Sequence, residues 1–375
     1  MNTSFFNHFE NLIDPRIERS KEHLLIDIVA IAILAVIGGA EGWVGIEVYG
    51  TAKHEWLKSF LELPNGIPSH DTFSRVFARI EPQQFQDCFL SWVNSITQKL
   101  ELEVIAIDGK TMKQSYDRNQ SQKALHIVSA WSSSHQLVLG QKKVKNKSNE
   151  LTAIPALLEL LEIEGSIITI DAMGCQKEIT SLISKKKGDY ILALKGNQKL
   201  LHQDVRNWFE VARKEDFRGR KYSYYQQVEA GHHRIEKRQI WTVDVSELPP
   251  LHNQSLWAGL KTIVMVASER RLWNKTTTEV RFYLSSLDSN AEKIALAIRS
   301  HWGIENSLHW TLDVTFSEDK SRIRKDHSPE NFALLRRLAV NLLKREKTFK
   351  GSLKMKRYLA GMDHNYLAQI LESAS

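Results

Sequence analysis

Apolar positions along the first hundred residues recur at helical spacing. Ile17–Ile37 reads as one helical segment, Trp56–Leu61 as a second. A third opens at Ser69-His70-Asp71-Thr72, after which Phe73, Val76, Phe77 and Ile80 form one stripe, with Ser69 or Asp71 as N-cap. Phe85, Phe89, Trp92 and Ile96 repeat the stripe. From Glu103 the rhythm becomes that of strands. Val104–Ile107, Leu125–Trp131 and Leu137–Val144 read as three strands, followed by a helix at Leu151–Leu161, a strand at Ile167–Ile170, a helix near Lys177–Ser184 and a strand at Tyr190–Leu194. Three strands and then helix–strand alternation predict an α/β fold, a mixed sheet covered by helices. Tyr222–Glu229, Arg234–Val243, Leu260–Ala267 and Thr278–Leu284 are aromatic and β-branched and predict a β-rich insertion. Helices return at Ile294–Trp302 and at Asn331–Lys347, the latter behind Ser328-Pro329.

The division this implies is a helical N-terminal domain over 1–98, a catalytic domain over 99–350 interrupted at about 197–287, and a basic C-terminal tail over 351–375. The longest apolar stretch, Ile28 to Ile37, has ten residues and is too short to span a bilayer, so no membrane partner is expected. Only Cys88 and Cys175 occur, which excludes a disulfide framework and a cysteine zinc site and fits a reducing cytoplasmic compartment. Gly38-Gly39-Ala40-Glu41-Gly42 follows no phosphate-loop pattern, against a kinase or dinucleotide enzyme.

The net charge is +7, and its distribution matters more than its size. Arg336 to Arg357 holds nine Lys/Arg against Glu346 alone, a local +8 that leaves about −1 for the rest. Such a cluster predicts a face for an anionic polymer. Lys142, Lys143, Lys145 and Lys147, and Lys185–Lys187, are further basic groups. Arg270, Arg271 and Trp273 fall at a hairpin tip, where an exposed Trp beside Arg suits stacking on an unpaired base.

The candidate chemistry begins with Asp108 and Asp171, each closing an apolar run and therefore held where strand order stops. On neighbouring strands, two such carboxylates call for a hard cation such as Mg²⁺; the alternative is that each simply starts a turn, as Asp108-Gly109 could. If Ile298–Leu312 is one helix, His301, Glu305 and His309 share a face at i, i+4, i+8, and Glu305 becomes a third carboxylate, with Asp313, Glu318 and Asp319 as competitors. The same three residues also suit zinc, but an oxygen site accounts for Asp108 and Asp171 as well.

Asp108-Gly109-Lys110, Asp171-Ala172-Met173, Lys195-Gly196-Asn197-Gln198 and the run HWGIENSLHWTLDVTFSEDKSRIR together resemble the H-repeat-associated DDE transposases of bacterial insertion sequences. The resemblance spans about Phe6 to Lys347. It implies a transposase-associated N-terminal domain, a ribonuclease-H-like catalytic domain, and Asp108, Asp171 and Glu305 as the catalytic, metal-binding triad. It also implies two Mg²⁺ ions, with Mn²⁺ able to substitute, and double-stranded DNA as partner: terminal inverted repeats and target, bound by a homodimer. Related transposases have a tyrosine three residues before an arginine, and a lysine seven after the Glu; here Ile298, His301 and Leu312 stand in those places. The phosphate contacts then fall to Arg299, His301, His309, Arg322 or Arg324, with Lys110, Lys195, Asn197, Gln198 and Arg234 as further DNA-binding candidates. His233 replaces a glycine in His232-His233-Arg234-Ile235-Glu236. The implied activity is cleavage at element ends and transfer into target DNA; a nuclease that cuts without joining and a catalytically dead DNA-binding protein are the rivals.

Overall fold

The computed structural model describes residues 4–97, 103–116, 123–144, 150–231 and 234–374. Lys145, Lys147, His232 and His233 lie outside them. Nine strands, β1 (Val104–Thr111), β2 (His126–Ser132), β3 (Leu137–Val144), β4 (Ile167–Ile170), β5 (Asp189–Leu194), β6 (Ser223–Gly231), β7 (Arg234–Asp244), β8 (Thr262–Leu272) and β9 (Lys275–Ser285), form one sheet. Its order is β3-β2-β1-β4-β5-β9-β8-β7-β6. β1, β4 and β5 run parallel, and β5 to β9 is antiparallel, so the sheet is mixed as expected. The insertion strands thus extend the same sheet. The helix Lys199–Lys214 precedes them within the stretch expected to be a β-rich insertion; Leu201, Val205, Phe209 and Ala212 are its buried stripe.

By contacts the chain divides into two compact units: Met1–Lys99, Gly109–Lys147 and Glu305–Ser375 form one, Leu100–Asp108 and Ser148–Ile304 the other. In the first, the helix Leu25–Ile37 is buried on every side from Asp27 onward, because no polar face divides its apolar run. The helix Ser328–Arg345 is nearly as buried. Trp43 links the N-terminal helices to it, stacking on Phe77 at 5.2 Å and meeting Phe332 edge-on at 5.0 Å. Ser69 is the cap of the helix His70–Arg79, its hydroxyl accepting from Thr72 N at 3.3 Å. The expected basic tail is two capped helices, Leu353–Met362 and His364–Glu372, and Trp92 Nε1 donates to the carbonyl of Ala374 at 2.8 Å.

In the second unit, β1, β4 and β5 pack on the helix Ala291–His301 through Ile167, Ile191, Ile294 and Ile298. The proximal halves of β8 and β9 are buried, and their distal halves are exposed. Leu272 pairs with Lys275, so Trp273 and Asn274 form the turn, and the Trp273 side chain is fully exposed. Among the described residues no helix is long and apolar enough to cross a membrane.

Candidate active site

The β1–β4 ladder ends at the pair Ile107–Ile170, and the next residue on each strand is an aspartate. Adjacent strands lie about 4.8 Å apart, so Asp108 and Asp171 start from neighbouring backbone positions. Asp171 follows the end of β4. Asp108 does not end its strand as expected: β1 continues through Gly109 and Lys110 to Thr111, which also removes the turn reading of Asp108-Gly109.

Past Asp171 the chain tightens into a single turn, Ala172–Gly174, with Asp171 Oδ1 accepting from Met173 N at 2.9 Å. Gly174 is required there, since a Cβ would come within 2.2 Å of the Ile170 side chain. Two side chains from the Lys195–Gln198 motif brace this turn. Asn197 Nδ2 donates to the carbonyl of Ala172 at 2.6 Å, and Gln198 Nε2 to that of Cys175 at 3.0 Å. The sequence singled both out as DNA contacts; in the structure they hold the Asp171 turn, while Lys195 stays exposed. His301 Nδ1 meets Thr169 Oγ1 at 3.0 Å, two residues before Asp171. Burial lowers the pKa of His301 and the Asp171 carboxylate pulls the other way, with a net lowering.

The helix expected over Ile298–Leu312 is broken. The segment Ala291–His301 is α-helical, Ile304–His309 is a π-turn, and α-geometry resumes at Trp310–Val314. A π-turn adds a residue per turn, so the i, i+4, i+8 face is lost, and such turns are frequent at functional positions. His309 is half-buried, and desolvation, with Arg337 and Lys110 nearby, lowers its pKa to about 3, so it is neutral and carries no charge to a phosphate. Asp313 and Asp319 share Lys110, at 2.7 and 3.0 Å, and Lys113 reaches Asp319 at 2.7 Å. Glu318 is fully buried against Arg337 at 2.9 Å. Glu305 is exposed and forms no ion pair among the described residues, which distinguishes it from those three competitors.

Lys110 is buried in its acidic pair, and Arg324 donates to the Gln114 carbonyl at 3.3 Å and lies over Tyr116. Arg322 is exposed. Arg299 reaches Glu229 at 3.2 Å, Arg234 and Arg270 reach Glu236 at 3.5 and 3.7 Å, and Arg271 pairs with Glu269. Lys142 donates to Gln83, Lys186 to the Glu159 carbonyl.

The basic run from Arg336 to Arg357 is not the surface its charge predicted. Arg336, Arg337, Lys356 and Arg357 are buried. Arg336 lies over Phe332 at 4.5 Å, Arg357 over Phe316 at 4.4 Å, and Arg357 donates to the carbonyls of Val36 and Ala40. Charge clustering in sequence says nothing about facing, and the long apolar stems of Arg and Lys pack readily in a core.

Among the described residues no three His, Cys, Asp or Glu side chains converge closely enough to hold a metal. Asp108 and Asp171 still supply hard oxygen donors on adjacent strands, the ligand type that Mg²⁺ and Mn²⁺ take and soft-metal sites do not. Residues 99–342 match the transposase DDE domain family, and residues 6–93 match the DDE_Tnp_1-associated family. The chain belongs to the DDE transposase family. This DDE transposase is 42% identical to the H repeat-associated protein YhhI of Escherichia coli K12 over 97% of this chain and 96% of that one. It is 40% identical to YncI of Escherichia coli O157:H7 over 99% and 95%. Both relatives carry transposase in their names. A solved piggyBac transposase synaptic complex with hairpin DNA aligns at TM-score 0.44 and 10% identity over 95% of this chain and 75% of that one, too loosely to carry an argument. As a DDE transposase the protein is an enzyme of DNA transposition, and the family works with divalent metal ions.

Proposed function

We propose that this DDE transposase cuts DNA at the terminal inverted repeats of its insertion sequence and joins the freed 3′-hydroxyl to target DNA, a cut-and-paste route run by a homodimer on the bacterial nucleoid. The adjacency of Asp108 and Asp171 at the end of the β1–β4 ladder carries the reading. Glu305 is assigned as the third carboxylate on family membership and because Asp313, Glu318 and Asp319 are each held by a cation. In this reading the three carboxylates hold two Mg²⁺ ions, which when bound polarise the scissile phosphodiester and stabilise charge on the entering and leaving oxygens. Asn197 and Gln198 keep the Asp171 turn in place, so that its carboxylate is oriented before DNA arrives. Neutral His301 fixes the end of its helix to β4 through Thr169.

The test is to incubate the purified protein with its own flanking DNA and Mg²⁺ and to sequence the product ends. Cleavage at the element boundary with the 3′ end joined to target is expected. Cut ends that never join would leave the nuclease reading instead.

The exposed hairpin end of β8–β9 suits a DNA contact. Its tip joins the fully exposed Trp273 to Arg270 and Arg271, each within reach of one carboxylate, so phosphates would compete with Glu236 and Glu269 for them. Stacking on one base contributes about 1–3 kcal/mol. Trp273→Ala is therefore expected to weaken binding of element-end DNA roughly tenfold and to remove the unstacking signal of a fluorescent base at the cleavage site. An unchanged signal in the variant would take Trp273 out of the DNA interface.

A further inference from the structure

The two edge strands of the sheet differ in how they are protected. On β3 the helix Ser328–Arg345 covers the edge: Asn341 Oδ1 accepts from Val138 N, and Asn341 Nδ2 donates to the Val138 carbonyl, both at 2.8 Å. β3 also carries Lys142-Lys143, and its ladder with β2 is interrupted by a bulge at Ala130–Trp131. Such devices keep a strand edge from pairing with another chain. The opposite edge, β6, has none of them. It reads Ser-Tyr-Tyr-Gln-Gln-Val-Glu-Ala-Gly, without Pro or Lys, and its register with β7 is unbroken over all 9 residues. None of these residues is buried.

The register also fixes which backbone groups of β6 point outward. Val245 N donates to the Lys261 carbonyl at 2.8 Å, so odd-numbered residues of β7 exchange bonds with β8 and even-numbered ones with β6. The even-numbered residues of β7 stand opposite odd-numbered residues of β6. Tyr224, Gln226, Val228 and Ala230 therefore direct N–H and C=O away from the sheet. Among the described residues none of these groups enters a backbone hydrogen bond.

This row of groups is complementary to itself. A second β6 laid antiparallel about a two-fold axis at Gln227 faces Gln226 with Val228 and Tyr224 with Ala230. Each such pair exchanges two backbone hydrogen bonds, and Gln227 lies beside its own copy. The single charge of the strand, Glu229, falls opposite Tyr225, so no like charges oppose one another. Glu229 is already held by Arg238 at 3.0 Å and Arg299 at 3.2 Å. Tyr224 and Val228, 44% and 57% exposed, gain cover in the pair.

We propose that β6 is a dimer interface, pairing antiparallel with β6 of a second copy of this chain. The proposal gives the homodimer of the proposed route its interface and rests on that reading for the number of subunits. Its test measures association and not cleavage, so its failure leaves the route to be decided by the sequenced product ends. Full-length protein is followed by sedimentation velocity with and without element-end DNA, and a dimer is expected in at least one state. Val228→Pro removes an outward N–H without removing a bond to β7. Gln227→Lys sets two ammonium groups against each other on the axis. Each should raise the dimer dissociation constant at least tenfold with the far-UV circular dichroism spectrum unchanged. Gln227→Cys reads the geometry itself, since facing positions of this kind lie about 4.5 Å apart between Cα atoms, within disulfide reach. The native thiols, Cys88 and Cys175, are buried and do not compete. Oxidation should cross-link Gln227→Cys at least tenfold faster than Thr278→Cys, which lies on the exposed half of β9. A monomeric wild type in both states, wild-type dimer affinity in either folded variant, or equal cross-linking of the two cysteine variants would overturn the proposal.

Discussion

Asp108→Asn and Asp171→Asn are each expected to reduce strand cleavage by at least about a hundredfold to a thousandfold, the range seen when a group stabilising developing charge is removed. Each substitution keeps the side-chain shape and removes one negative charge from a pair at the end of a parallel ladder. Two carboxylates so close repel one another, and a divalent cation relieves that repulsion; with one amide in the pair the cation loses a charged ligand. In Asp171→Asn the amide oxygen can still accept from Met173 N, so the turn after β4 is kept. Element-end DNA should bind with near wild-type affinity in gel-shift titrations. Cleavage close to the wild-type rate in either variant would remove these two residues from the chemistry. Glu305→Gln should behave in the same way; normal cleavage there, combined with loss in Asp313→Asn, would transfer the third role to Asp313.

Arg337→Met should destabilise the fold by about 3–5 kcal/mol at neutral pH, the cost of leaving the other member of a buried ion pair uncompensated. Arg337 and Glu318 are both completely inaccessible, 2.9 Å apart, and Arg337 also donates to Ser129 Oγ and the Ala333 carbonyl. The measurement is a urea titration, with the midpoint lowered and the slope retained. The pH dependence supplies an internal control. Burial pushes the Glu318 carboxyl up, but Arg337, Arg336 and Lys110 outweigh it and hold it below its ordinary 4.5. That stability is present above the unfolded value and is lost as pH falls through the folded one. Without Arg337, burial prevails, the folded pKa rises above the unfolded one, and the variant regains stability as the carboxyl protonates. The gap between wild type and Arg337→Met should therefore narrow from pH 7 toward pH 4. A constant gap would show that Glu318 does not titrate with Arg337. The double variant Arg337→Met with Glu318→Met should recover most of the loss, because two apolar side chains need no desolvated charge between them.

Several features of the fold were legible because the local pattern and the tertiary environment agree. Val104–Ile107 and Ile167–Ile170 are β-branched runs that need cover on both faces, and they became the adjacent parallel strands β1 and β4. The apolar stretch through Ile28–Ile37 could only be interior, and it is. The hairpin tip at Trp273 was marked by polar residues between two alternating runs. Other features had a signal that was outweighed. Leu201, Val205, Phe209 and Ala212 recur at helical spacing, but the aromatic and β-branched runs that follow them outweigh that signal. Asn197 and Gln198 stood out as a motif, but their chemistry suits a DNA contact and a carbonyl brace equally.

The π-turn at Ile304–His309 had no local signature; it separates His301 and His309 into different surroundings that a regular helix would have aligned. Arg336 and Arg337 were visible only as charge; Arg337 is buried against Glu318 from outside its helix, and Arg336 lies over Phe332 one turn earlier in the same helix.

By itself the sequence determined the order of helices and strands, the two aspartates closing β-branched runs, and membership in a transposase family, since each depends on residue identity and short-range periodicity. Only the tertiary structure decided which charges face solvent, which carboxylates are already neutralised, and which amides brace a turn. Those outcomes depend on desolvation and hydrogen-bond pairing between residues far apart in the chain, and a one-dimensional pattern does not encode them locally.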